Sequence, residues 1–206
     1  MPPAETGTDR APAAGLVLAA GSSTRMGTNK LLLEIDGEPL VRRAVRQALA
    51  AGLAPVLVVV GHEAELARQA LRGLECQTVF NPDHLKGVRT SLVEGVSALP
   101  PDTPAVVVML ADMPFVTADM IRTLLERFRA ESPPLVASRY GDVNAPPVLY
   151  GRSLFPELSE REGEGCGKHV VKRHRAEASF VDWPESALAD VDLPADYERL
   201  KTVVPR

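Results

Sequence analysis

Residues 16–40 read LVLAAGSSTRMGTNKLLLEIDGEPL. An apolar run, Gly15 to Ala20, stops at Gly21, and small, polar and basic side chains follow as far as Lys30. Apolar character without polar alternation marks a strand covered on both faces, as in a parallel sheet. The pattern returns at Pro55 to Val60, Thr78 to Phe80, Ala105 to Leu110 and Leu135 to Ser138. Between these runs, Pro39 to Ala51, Glu63 to Arg72, Val88 to Leu99 and Ala118 to Ala130 are spaced as helices. The first carries Leu40, Val41, Ala44, Val45, Ala48 and Leu49 as an i, i+4 stripe. Thr117 stands at a helix N-cap position. The alternation predicts an α/β fold with a doubly wound, mostly parallel sheet: a Rossmann-like three-layer sandwich.

The last third is less regular. Val148 to Tyr150 reads as a strand, and Leu154 to Leu158, Lys168 to His174 and Pro194 to Leu200 as helices. The turn-rich stretch Arg139 to Pro147 reads as the start of a lid or subdomain over the sheet's carboxyl edge.

The chain has 206 residues, enough for about one domain with a sizeable core. Its formal net charge of −4 gives no electrostatic footprint for nucleic acid, and 4% aromatics leave little for base-stacking platforms. Two cysteines, Cys76 and Cys166, make no disulfide framework and fit a reducing, cytoplasmic setting. The opening MPPAETGTDRAPA lacks the pattern of a secretory signal and reads as a disordered tail over residues 1–13. The longest apolar runs, Pro55 to Val60 and Pro104 to Ala111, fall far short of the ~20 residues that span a bilayer. Neither a nucleic-acid nor a membrane partner is expected.

In doubly wound sheets, ligands sit beyond the carboxyl ends of the strands. The loop after the first strand, Gly21 to Lys30, combines small residues that let backbone N–H groups approach an anion with two cations, Arg25 and Lys30. It is neither a P-loop nor the dinucleotide G-x-G-x-x-G fingerprint. From spacing alone, a plain surface loop and a phosphate cradle both remain open.

The string Leu18 to Leu33, LAAGSSTRMGTNKLLL, resembles the signature L-A-[AG]-G-x-S-x-R-[MF]-G-x-x-K of nucleotidyltransferases related to the molybdenum-cofactor nucleotidyltransferases. The resemblance implies a nucleoside triphosphate at Leu18, Ala19, Ala20, Gly21, Ser22 and Ser23, with Arg25 and Lys30 on its charges. It implies Mg²⁺ as cofactor on Asp112, in Ala111-Asp112-Met113-Pro114 after a buried strand, because Asp is a hard oxygen ligand of the kind Mg²⁺ prefers. It places a second metal aspartate at Asp192, in Asp190-Val191-Asp192-Leu193-Pro194-Ala195-Asp196-Tyr197, which resembles D-[IV]-D-T-P-E-D-[LY]. Asp190 and Asp196 read instead as a turn residue and a first-turn charge.

Asn81, Gly87 and Ser91 match a family segment bordering base and sugar, and Val60-Gly61-His62 resembles the loop after the second strand. His62 itself reads as a solvated loop residue. On the acceptor side, APPVLYGRSLFPEL (Ala145 to Leu158) resembles G-x-P-x-H-P-V-x-[FL]-x-R-x-L-F, with Pro146 where the family has His and Pro147 kept. Gly163 to Lys168 occupies the place of G-D-x-G-A-R, with Lys168 for the basic residue. Lys168, Lys172, Arg173 and Arg175 form a basic patch that reads either as a solvated helix face or as a seat for the acceptor's phosphate. Cys166, His169 and His174 lack a fourth zinc ligand.

The resemblance divides residues 14–206 into a nucleotide-binding half (about 14–115) and an acceptor-binding half (about 116–206) of one domain. Ala19-Ala20-Gly21 accompanies the cytidylyl branch of the family, so CTP is the favoured nucleotide and a molybdopterin-type cofactor the acceptor, with a molybdoenzyme as a possible downstream partner. The same chemistry with GTP or another phosphorylated acceptor is the first alternative. A non-catalytic maturation factor that binds the cofactor for a molybdoenzyme is the second.

Overall fold

The computed structural model describes residues 11–22, 29–160, 167–189 and 196–198. A seven-stranded sheet forms the middle layer. Its strands are β1 (Ala14–Ala19), β4 (Val56–Val60), β5 (Gln77–Phe80), β6 (Ala105–Leu110), β7 (Leu135–Tyr140), β8 (Val143–Gly151) and β9 (Ser179–Trp183), in the order β5-β4-β1-β6-β8-β7-β9. All strand pairs are parallel except the two made by β8, so β8 alone runs against the rest. A small antiparallel pair, β2 (Glu34–Ile35) and β3 (Glu38–Pro39), turns at Asp36-Gly37, both with positive φ as a tight hairpin turn demands.

Helices α1 (Leu40–Ala50), α2 (Ala64–Ala70) and α4 (Ala118–Glu131) cover one face, and α3 (Val88–Ser97), α5 (Phe155–Leu158) and α6 (Gly167–Arg173) the other. The period-two rule sorts β1 between the layers. Val17 and Ala19 join the core under α1, α2 and α4, whereas Leu16 and Leu18 join the core under α3, α5 and α6. Both faces are covered, which is why the strand shows no polar alternation. Thr117 caps α4 by accepting from Met120 N at 3.3 Å, and Gln47 Oε1 accepts from Ala118 N at 2.8 Å, tying α4 to α1.

The doubly wound fold class and all five predicted parallel strands are present. Two readings are corrected. Arg139 to Pro147 is not a lid: Tyr140 and Val143 pair across the Gly141-Asp142 turn, and the chain continues the sheet as a hairpin. A register shift at Ala137/Arg139 leaves Ala145, Pro146 and Pro147 as a bulge, pinned where Tyr140 donates to Pro146 O (2.9 Å) and Ser138 to Pro147 O (2.7 Å). The strand expected at Val148 to Tyr150 is therefore nine residues long. Ala13, just before β1, is buried, and its carbonyl accepts from Ala54 N at 3.0 Å. No helix among the described residues is long and apolar enough to cross a membrane.

Candidate active site

The strand order reverses about β1: the chain goes from β1 to β4 and β5 on one side, then crosses to β6 on the other. Crevices open beyond the carboxyl ends at such switch points. Leu18, Ala19 and Ala20 end β1 there, and Gly21 and Ser22 lead away. Ser23, Arg25 and Asp192 lie outside the described residues.

Asn29 is 8% exposed, and its Oδ1 accepts from Leu31 N at 3.1 Å, capping the short turn Lys30–Leu32. The turn aims Lys30 across the top of β1 at the carboxyl end of β6. Lys30 Nζ lies 2.6 Å from Asp112 Oδ2, with side chains 13% and 19% exposed. The backbone holds the two segments together, since Ala111 N donates to Leu18 O at 3.1 Å. Asn29 Nδ2 is buried without a hydrogen-bond partner, an unused donor one residue from Lys30.

Gly61 ends β4 beside Ala20, and His62 N donates to Ala20 O at 3.3 Å. A Cβ on Gly61 would fall 2.5 Å from His84 Cβ and 3.0 Å from Ala20 Cβ, so only glycine lets the loops after β1, β4 and β5 meet. Asn81 is fully buried, and its amide nitrogen donates to Thr90 Oγ1 (2.9 Å) and Ser91 Oγ (3.0 Å) while its Oδ1 accepts from Asp83 N (2.9 Å). The side chains of Asn81 and Ser91 are thus engaged with their own loop. Gly87, with φ 105°, starts α3.

Next to this crevice lies a cavity of about 630 Å³. Its floor is apolar: Leu18 and Leu110 from β1 and β6, Leu92 from α3, Val148 and Tyr150 from β8, and Val171 from α6. Arg89, Lys168, Lys172 and Arg175 stand around it. The basic patch on and after α6 is sorted by the fold. Arg173 and His174 both bind Glu157 of α5, His174 Nε2 at 2.8 Å from Glu157 Oε2, whereas Lys168, Lys172 and Arg175 face the cavity. Pro146 lines it, while Pro147 is buried with its carbonyl held by Ser138. His169 also lines the cavity, and His174 is held by a carboxylate. Among the described residues no three His, Cys, Asp or Glu side chains could together hold a metal. A cation on Asp112 must therefore complete its shell from elsewhere, and phosphate oxygens suit a hard divalent ion.

Sequence reasoning missed Asn144, Phe180, Arg139 and Asp182, which meet at the end of β7, β8 and β9. Arg139 and Asp182 form a two-pronged ion pair, with Arg139 Nη2 at 2.8 Å from Asp182 Oδ2, that holds the Asp182 carboxyl below its ordinary 3.8. The only available signal was the short Ser179-Phe180-Val181-Asp182-Trp183 run, whose two faces alternate imperfectly.

The loop after β1, a carboxylate after β6 and a cavity thus share one edge of the sheet. The family model described as a MobA-like NTP transferase domain matches residues 15–178, and the chain belongs to that family. Purine catabolism protein PucB of Bacillus subtilis is 28% identical over 201 residues, 91% of this chain and 95% of its own length. Bifunctional protein GlmU of Anaeromyxobacter sp. (strain K) is 52% identical over 64 residues, 30% of this chain, and the match spans only 13% of GlmU's length. The crystal structure of Rv0371c from Mycobacterium tuberculosis superposes with a TM-score of 0.80 at 27% identity, covering 94% of this chain and 100% of that one. A manganese complex of Rv0371c gives 0.74 at 25% identity. The resemblance to molybdenum-cofactor nucleotidyltransferases drawn from residues 18–33 agrees with this membership.

Proposed function

We propose that the chain transfers CMP from CTP to the phosphate of a molybdopterin-type acceptor and releases pyrophosphate, with Mg²⁺ as its divalent ion. The observation that carries the reading is the arrangement at one sheet edge: the Lys30–Asp112 pair stands next to an apolar-floored cavity with Lys168, Lys172 and Arg175 on its rim. Such a cavity suits a phosphorylated molecule with an apolar or aromatic body.

An acceptor phosphate oxygen bonds to the α-phosphorus of the nucleotide, the bond from that phosphorus to the oxygen bridging to the β-phosphate breaks, and pyrophosphate leaves with that oxygen. Little covalent help is needed from protein, so holding the two phosphates in line and neutralising charge carry the rate. Lys30 and Arg25 bind the triphosphate, and Gly21, Ser22 and Ser23 offer backbone to it. Asn81, Gly87 and Ser91 act by shaping the loop under α3 beside the nucleotide, and Gly61 by letting that loop close on β1. Asp112 and Asp192 would hold the metal, which supplies charge neutralisation at the α-phosphate. The fit is supported by the hard oxygen of Asp112 and by a relative crystallised with manganese. Tyr197 donates to Glu34 O at 2.8 Å.

Thermal shifts with CTP, GTP, ATP and UTP plus Mg²⁺ test the nucleotide, because a ligand that binds only the native state raises its melting temperature. CTP is expected to give the largest shift; a larger one with GTP moves the reading to guanylyl transfer. Pyrophosphate release from CTP and molybdopterin tests the reaction. Binding of both without release overturns the enzyme in favour of a cofactor-binding maturation factor.

A further inference from the structure

We infer that Asn29 is a further phosphate-binding residue, whose amide N–H is held in reserve for an oxygen of the nucleotide's polyphosphate. The inference rests on the nucleotide reading above and deepens it. In the signature that residues 18–33 resemble, position 29 is one of the two unspecified places before the lysine, so the resemblance gives Asn29 no role.

Asn29 is 8% exposed. The orientation of its amide is settled by its neighbour: Leu31 N is a donor 3.1 Å away, so the atom that meets it is Oδ1. That bond caps the turn Lys30–Leu32 and fixes the direction of Nδ2. Nδ2 is buried and has no hydrogen-bond partner among the described residues. Buried donors are nearly always paired, and an orphan calls for a reason. The cap is not that reason. It uses only the oxygen, which serine or aspartate would supply equally well. The ligand-free fold gains nothing from the N–H and is weakened by its desolvation. Such a donor belongs to a partner that arrives later.

The surroundings decide the chemistry of that partner. Lys30 is the next residue, and its ammonium, 2.6 Å from Asp112 Oδ2, already occupies the carboxylate of this corner. An amide donor beside an ammonium suits an anion with several oxygens, and phosphate is the anion that the loop after β1 would receive. The acceptor's phosphate is excluded by position: Lys168 and Lys172 line the apolar cavity, and neither Asn29 nor Lys30 is among its walls. The polyphosphate of the nucleotide is left. Its arrival would draw Lys30 from Asp112, give Nδ2 an acceptor and free the carboxylate for the divalent ion, so one ligand resolves all three groups.

The test titrates the full chain, in EDTA, with tripolyphosphate, which has neither base nor ribose. Asn29→Ser keeps an oxygen for Leu31 N and removes the amide. It is expected to bind tripolyphosphate about tenfold more weakly than the wild type. Without ligand it should melt no lower, because the unpaired donor is gone. Asn29→Asp, which keeps the capping oxygen and adds a negative charge, should bind more weakly still. Binding by Asn29→Ser within about twofold of the wild type overturns the inference. Weaker binding together with a lower melting temperature also overturns it, since that is the mark of a purely structural Asn29. If Lys30→Ala weakens binding in those cases, the nucleotide reading stands. Failure of the wild type to bind either tripolyphosphate or CTP, with Mg²⁺ or without, overturns the nucleotide reading and this inference with it.

Discussion

Lys30 Nζ is 2.6 Å from Asp112 Oδ2, and this contact joins the end of the loop after β1 to the carboxyl end of the neighbouring strand β6. Both groups are largely withdrawn from water, so their attraction is less screened than that of a surface pair. In the proposed nucleotide complex the lysine would serve a phosphate and the carboxylate a divalent ion. The pair keeps two opposite charges in place at the switch point without leaving either one alone.

Asp112→Ala should reduce transfer by about 100- to 1000-fold, as loss of one electrostatic element at a reacting phosphate does, and leave the far-ultraviolet circular dichroism spectrum unchanged. Transfer near the wild-type rate would remove Asp112 from the mechanism. Lys30→Ala should also depress transfer. In the absence of nucleotide, however, it should tighten Mn²⁺ binding by about fivefold, because the carboxylate no longer answers a lysine. Electron paramagnetic resonance of free Mn²⁺ reads this directly; weaker binding in the variant would show that Lys30 supports rather than rivals the ion.

Gly61→Ala inserts a methyl group 2.5 Å from His84 Cβ, a separation that forces the loop after β5 away from β1. Overpacking of this kind costs about 1–3 kcal/mol. The Michaelis constant for the nucleotide should rise more than the turnover number falls, since the loop is displaced while Lys30 and Asp112 are untouched. An unaltered Michaelis constant would separate the two loops functionally.

Asn81→Ala leaves Thr90, Ser91 and Asp83 N without their shared partner inside the protein. Losing a buried amide of this kind costs roughly 1–3 kcal/mol, readable as a lower urea midpoint at constant m-value. Asn81→Asp keeps the acceptor for Asp83 N but loses the donor to Ser91, and should fall between the two.

Burial pushes the Tyr140 hydroxyl from 10.0 up to about 12. The folded state therefore keeps a proton that the unfolded chain releases, so this contribution is complete below pH 10 and is lost as pH climbs from 10 to 12. The melting temperature should decline across that window, and the decline should be shallower in Tyr140→Phe. Identical slopes would show that other groups govern the alkaline limb.

Much of the site was readable along the chain because its parts are local. Gly21 and Asp112 follow closely after strands whose continuous apolar runs mark them as buried, and Lys30 ends the loop that Gly21 opens, so their place at the carboxyl edge follows from the fold class. Asn144, Phe180 and Asp182 were not readable in this way. They meet through the reversed strand β8 and through β9, a five-residue strand with mixed faces, and neither leaves a periodic trace. Arg139 to Pro147 was misjudged for the same reason: proline, glycine and asparagine are turn residues in isolation, and only pairing with β7 makes that stretch a strand.

By itself, then, the sequence determined the strand-and-helix alternation and the family, because burial on two faces and the signature of a short loop are written in consecutive residues. Tertiary structure alone decided that Lys30 meets Asp112, that Arg173 and His174 turn back to Glu157 while Lys168, Lys172 and Arg175 face a cavity, and that Asn81 is occupied within its own loop. These are questions of which partner a charge or an amide finds across tens of residues, and the packing of helix against sheet answers them.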